Sequence, residues 1–193
     1  MSNVPNALTI GRLVLVPLFV AAFFLPAPWG PWVAFLLFCT AGLTDAIDGL
    51  VARKLDAVSP FGRMLDPIAD KLIVSAALLM LAADGTLHGF ALIPALIILC
   101  REILVSGLRE FLAEADVSLP VTRIAKVKTA VQFVAIAALM ASSASERYLP
   151  GVTQIAVFGL WSAAALTFYT GYEYLKAGLT HARGAKRKSK RAA

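Results

Sequence analysis

HGFALIPALIILCREILVSGL, residues His88–Leu108, is long and apolar enough to cross a bilayer, yet it carries Arg101 and Glu102 in its interior. A membrane-crossing helix needs about 20 mainly apolar residues. Five further stretches meet that measure, roughly 8–27, 31–52, 66–83, 124–143 and 151–175. Turn-forming residues separate them: Pro26, Pro28, Gly30 and Pro31; Ser59-Pro60 and Gly62; Asp84-Gly85; Pro120; Pro150-Gly151. The connections are short, so no soluble domain is left over. The expected fold is all-α, an integral membrane bundle of six transmembrane helices.

Composition agrees with this. Of 193 residues, 59% are hydrophobic and 16% charged. Soluble domains hold about 45–50% apolar and about 25% charged residues. Disorder is excluded, and a soluble enzyme is disfavoured. Two cysteines exclude a disulfide scaffold and a cysteine-rich zinc fold. Cys39 and Cys100 lie in apolar spans and read as small packing residues. His88 and His181 are solitary and near span ends, which suits interfacial residues better than ligands. The first span lacks a basic run ahead of it and has Arg12 inside it, so it reads as a retained helix rather than a cleaved leader.

The charges set the orientation. The connections near 28–31, 84–88 and 144–150 hold a single base, Arg147. The other side has Arg53, Lys54, Arg63, Arg109, Arg123 and the C-terminal run. The positive-inside rule puts that side, and both termini, in the cytoplasm. The net charge of +6 is wholly in the tail. Six of the 18 bases fall between Arg183 and Arg191 with no acid among them, which leaves 12 bases and 12 acids in residues 1–182. The expected division is therefore a membrane domain over 1–182 and a basic, disordered cytoplasmic tail over 183–193. Such a tail suits membrane lipids with anionic headgroups or serves topology alone. A neutral, membrane-bound remainder argues against nucleic acid.

Carboxylates inside spans are expensive and usually functional. Asp45 and Asp48 are three apart, and Asp66 and Asp70 four apart, so each pair shares a helix face. A turn through Ser59-Pro60 and Gly62 folds one pair back toward the other. Four clustered negative charges would repel one another, and divalent cations relieve this. All-oxygen ligands without His or Cys favour Mg²⁺ or Mn²⁺ over zinc. Four carboxylates can share two such metals about 3.5–4 Å apart, an arrangement suited to displacement at phosphorus. Gly49 and Ala52 lie on the carboxylate face and leave room for a ligand. Gly62 opens the opposite wall, and Arg53 at the rim can meet a phosphate. The competing reading is a set of Asp–Arg pairs buried for packing, with Arg12, Arg53, Lys54, Arg63 and Lys71 near. Paired helical spacing interleaved with Gly and Ala weighs against it.

A second cluster is basic. Arg101, Arg109, Lys126 and Lys128 fall at the cytoplasmic ends of the fourth and fifth spans, and Arg101 and Arg109 are about two turns apart near one face. They can hold a dianionic phosphate on an acceptor alcohol. Alternatively, they serve topology and pair with Glu102, Glu110 and Glu114.

The run Asp45-Ala46-Ile47-Asp48-Gly49-Leu50-Val51-Ala52-Arg53, then Gly62, Asp66 and Asp70, resembles the CDP-alcohol phosphatidyltransferase signature, D-x2-D-G-x2-A-R-x8-G-x3-D-x3-D, at every fixed position. The resemblance implies a six-helix membrane bundle, a homodimer, and an active site facing the cytoplasm from the inner membrane. It implies that Asp45, Asp48 and Asp66 ligate two divalent cations, Mg²⁺ or Mn²⁺. Asp70 would ligate one of them and act as general base. Asp48, Gly49, Ala52, Arg53 and Gly62 would line the pocket for the CDP-lipid. The reaction implied is attack by an alcohol on the β-phosphorus of CDP-diacylglycerol, with release of CMP.

Three more runs resemble the branch of this family whose acceptor is glycerol 3-phosphate: Asn3 to Arg12, Asp66-Pro67-Ile68-Ala69-Asp70-Lys71, and Arg101 to Glu110 followed by Ala125 to Thr129. This likeness covers roughly residues 3–140. It implies Arg101, Arg109, Lys126 and Lys128 as the acceptor-phosphate site, with Asn6 and Arg12 over the nucleotide. The last span and the basic tail look generic. The alternatives are a sister enzyme using inositol phosphate or phosphatidylglycerol, a divalent-cation transporter, and a structural membrane protein. Against transport, the acids sit toward one membrane side with no relay across.

Overall fold

A computed structural model describes the backbone of residues 3–55, 60–114, 123–145 and 151–192. Six long helices account for nearly all of it: α1 (Asn3–Ala22), α2 (Trp29–Leu55), α3 (Pro60–Ala83), α4 (Leu92–Glu114), α5 (Arg123–Ser145) and α6 (Val152–Ala192). No strand occurs among the described residues. A 3₁₀ turn over Gly89–Ala91 leads into α4.

Two boundaries differ from the apolar pattern. The third helix begins at Pro60, not near Asp66, and Gly62 lies inside its first turn. Proline has no N–H to lose at a helix start and its φ is already helical, so Pro60 opens the helix rather than interrupting the chain. The other difference is α6, which continues to Ala192 through the basic segment expected to be disordered.

Helix α1 packs against both α2 and α3, α2 against α5, and α6 against both α4 and α5. The core holds Phe19 of α1, Phe38 of α2, Leu78 and Leu81 of α3, Ile98 of α4, Ile136 and Leu139 of α5, and Leu160 of α6. Phe38 stacks on Phe133 of α5 with centroids 4.7 Å apart and planes 14° apart. Gly42, one turn beyond Phe38, admits that ring, because a Cβ there would overlap it.

The surface is reversed relative to a soluble protein. Leu36, Leu79, Ile103, Ile155, Phe158 and Phe168 are exposed, whereas Arg12, Lys128, Gln132, Ser142, Thr167 and Thr170 are buried. Charged residues are almost never fully buried unless paired, and broad apolar surface marks contact with something other than water. Three helical segments are long and apolar enough to cross a bilayer: Gly89–Ala113, Ile124–Ser145 and Val152–Lys176. Ile10–Ala22 and Trp29–Thr44 are apolar but shorter. Helix α3 does not qualify among the described residues, and its first half carries Arg63, Asp66, Asp70 and Lys71. The fold is thus a six-helix bundle, three of whose helices are long and apolar enough to cross a membrane. Cys100 lies on the exposed face of α4 rather than in the packing. His88 is engaged locally, its Nδ1 lying 2.9 Å from the Gly85 carbonyl.

Candidate active site

The helix bounds place Asp45, Asp48, Gly49, Ala52 and Arg53 in the last three turns of α2, and Gly62, Asp66 and Asp70 in the first three turns of α3. Only four residues, 56–59, separate the two helices. Asp45 and Asp48 therefore lie one turn apart on α2, as do Asp66 and Asp70 on α3. The side chains of Asn6, Asp45, Asp48, Arg53 and Asp66, and the surroundings of Gly49, Ala52 and Gly62, lie outside the described residues.

Asp70 is the described carboxylate of the set. Its Oδ1 accepts a hydrogen bond of 2.6 Å from Nη1 of Arg12 on α1. Arg12 is only 3% exposed, whereas the Asp70 side chain is 45% exposed. An arginine this deep in an apolar helix must be paired, since an unpaired buried charge is strongly penalised. The structure thus places the Arg12 guanidinium on Asp70, although the resemblance implies it over the nucleotide. The donor chemistry fits a hard divalent cation. Between Asp45 and Asp70 the chain offers carboxylates and no His or Cys. Among the described residues alone, no group of three potential ligands forms.

The basic cluster divides into a buried pair and an exposed pair. Lys128 of α5 is buried and hydrogen-bonds the Glu102 carboxylate of α4. Arg101 Nη1 lies 3.6 Å from the same Glu102 oxygen. Glu102 therefore ties Arg101 and Lys128 into one α4–α5 centre. Lys71 of α3 lies within electrostatic reach of Lys128, its Nζ donating to the Pro67 carbonyl at 2.9 Å. Arg109 and Lys126 are exposed. Arg109 is within electrostatic reach of Arg101, and Lys126 is not brought into the centre.

Sequence reasoning missed the contribution of α6. Arg101 Nη2 donates to Thr170 Oγ1 at 2.9 Å. Its guanidinium carbon sits 5.8 Å from the centroid of the Tyr174 ring. Its side-chain stem crosses Gly171, where a Cβ would stand 3.0 Å from Arg101 Cγ. The available signal is the spacing of Thr167, Thr170, Gly171 and Tyr174, a stripe of small and polar residues at three-, four- and seven-residue intervals in an apolar helix.

Comparison with known proteins extends this picture over most of the chain. Residues 2–169 match the CDP-alcohol phosphatidyltransferase family. A Rickettsia bellii protein named CDP-diacylglycerol–glycerol-3-phosphate 3-phosphatidyltransferase is 46% identical over 91% of this chain and 94% of its own length. Proteins of that name from Pectobacterium atrosepticum and Shigella flexneri are 41% and 38% identical, each over 91% of this chain and 94% of their own length. With helical architecture, signature spacing and near full-length similarity in agreement, the chain belongs to the CDP-alcohol phosphatidyltransferase family.

Proposed function

We propose that this protein transfers the phosphatidyl group of CDP-diacylglycerol to glycerol 3-phosphate, giving phosphatidylglycerol phosphate and CMP. The observation that carries this reading is the 38–46% identity, over nine-tenths of the chain, to relatives named for that reaction. The paired aspartates on α2 and α3 and the basic centre between α4 and α5 supply the chemistry it needs.

In this reading Asp45, Asp48, Asp66 and Asp70 hold divalent cations, two of Mg²⁺ or Mn²⁺. When bound, these would neutralise the pyrophosphate and the departing phosphate. Asp48, Gly49, Ala52, Arg53 and Gly62, with Asn6, receive the CDP moiety. Asp70 takes the proton of the acceptor hydroxyl. The alcohol oxygen forms a new bond to the β-phosphorus as the bond from that phosphorus to the CMP oxygen breaks, and CMP leaves with the electron pair. Arg12 acts through Asp70, fixing the carboxylate's orientation. Arg101, Arg109, Lys126 and Lys128 receive the acceptor phosphate. Glu102 holds the buried Lys128 in place.

The same reading has six helices crossing the inner membrane, both termini and the active site on the cytoplasmic side, and a homodimeric assembly. Residues 1–182 form the catalytic domain, and 183–193 a basic extension beside the headgroups. Release of CMP by purified protein, with CDP-diacylglycerol, Mg²⁺ and a panel of acceptors, tests it. Glycerol 3-phosphate should support turnover. Turnover only with inositol phosphate or phosphatidylglycerol would point instead to a sister activity.

A further inference from the structure

Arg101 is held from one side by α6, through the stripe of small and polar residues that this otherwise apolar helix carries. The Thr170 hydroxyl hydrogen is directed back along its own helix, toward the carbonyls of Leu166 and Thr167 at 3.0 and 3.1 Å. Its oxygen is therefore left to accept, and Arg101 Nη2 fills that place at 2.9 Å. Tyr174, one turn on, offers its ring face to the guanidinium. Gly171 lies between them and leaves the slot through which the arginine stem passes.

The cradle sits in an unbalanced field. Arg101 and Lys128 share the single carboxylate of Glu102 among the described residues, with Lys71 within electrostatic reach of Lys128. Arg101 Nε is buried with no acceptor among the described residues. A buried donor without a partner calls for an explanation, and an excess of cations inside an apolar bundle calls for an anion.

We infer that Thr170, Gly171 and Tyr174 are positioning residues for the acceptor phosphate, holding Arg101 in the orientation in which it meets that anion. The inference deepens the functional reading above and rests on it. The cradle acts on the acceptor half of the reaction alone, because the CDP-lipid half is built on α2 and α3. Its loss changes the affinity for the phosphorylated acceptor and not for the CDP-lipid.

Steady-state kinetics of the full chain in detergent–lipid micelles, with each substrate varied in turn, test this. Thr170→Val, which keeps the shape and removes the acceptor oxygen, raises KM for glycerol 3-phosphate by at least about tenfold, the size expected for a hydrogen bond to a charged group. It leaves KM for CDP-diacylglycerol and kcat at saturating acceptor within about twofold, as for wild type. Thr170→Ser restores the wild-type constant. Tyr174→Leu shifts the acceptor KM in the same direction, and Tyr174→Phe leaves it near wild type. The outward-facing Tyr172→Phe changes nothing. Gly171→Ala also raises the acceptor KM; if it does not fold, the Thr170 pair decides alone. A Thr170→Val enzyme with unchanged acceptor KM, or with both KM values raised equally, overturns the cradle. A wild-type protein that turns over only phosphate-free alcohols overturns the functional reading and the cradle with it.

Discussion

The Arg12 guanidinium donates to the Asp70 carboxylate at 2.6 Å, joining α1 to α3 across 58 residues of chain. The arginine is nearly inaccessible and the aspartate is partly open. That asymmetry leaves the carboxylate, rather than the guanidinium, as the accessible half of the pair. Replacing Arg12 by Met should remove a charge-assisted hydrogen bond of about 1.5–3 kcal/mol. We expect kcat to fall by at least about tenfold and the melting temperature in detergent to fall with it. Arg12→Lys should recover part of both. Unchanged kcat in Arg12→Met would remove Arg12 from the account of Asp70.

Asp70→Asn keeps the size of the side chain and removes its basicity. CMP release should fall by about 10²–10⁴-fold, the usual contribution of a positioned general base. The melting temperature in detergent should fall, but less than in Arg12→Met, since the amide oxygen still accepts from Arg12 while the buried guanidinium loses its counter-charge. Near-normal turnover would refute Asp70 as the base.

Lys128 is buried and Glu102 half-buried against it, so removing Glu102 leaves the lysine's charge uncompensated. Glu102→Gln should destabilise the α4–α5 packing by about 3 kcal/mol. Glu102→Gln combined with Lys128→Met should regain much of that stability while staying impaired toward glycerol 3-phosphate. Melting curves and acceptor KM values, measured side by side, check the two effects separately.

Gly42 faces the Phe133 ring across the α2–α5 contact. Gly42→Leu should destabilise the fold by about 1–3 kcal/mol through overpacking, read as a lower melting temperature. Gly42→Leu combined with Phe133→Ala should be partly rescued, because the second change vacates the space the first one needs.

The six helices are legible in the sequence because each apolar run is bounded by Pro, Gly or charged residues, as at Pro26–Pro31 and Asp84-Gly85. The start of α3 is misplaced because hydropathy marks where a helix becomes apolar, whereas the helix itself opens six residues earlier at Pro60. Asp45, Asp48, Asp66 and Asp70 stand out for a local reason: spacings of three and four fix a shared helix face. Partners distant in the chain carry no such signal. Arg12 is legible only as one of five bases that could pair with the aspartates, and its spacing does not single out Asp70. Arg101 likewise falls beside Arg109 by spacing, while its hydrogen-bond and ring partners on α6, Thr170 and Tyr174, lie some 70 residues later.

The proposed two-metal chemistry at the aspartates would make turnover conditional on added cation. Purified protein treated with EDTA should lose CMP release, and Mg²⁺ or Mn²⁺ should restore it, whereas an equal excess of Ca²⁺ should not restore it fully. Full activity in EDTA would remove the cations from the mechanism.

The most direct test of the central claim follows radiolabelled glycerol 3-phosphate through a single reaction with purified protein, CDP-diacylglycerol and Mg²⁺. The account predicts that label enters the lipid phase as phosphatidylglycerol phosphate, with one CMP released for each label transferred. Label that stays in the aqueous phase while CMP is released to another alcohol would contradict it.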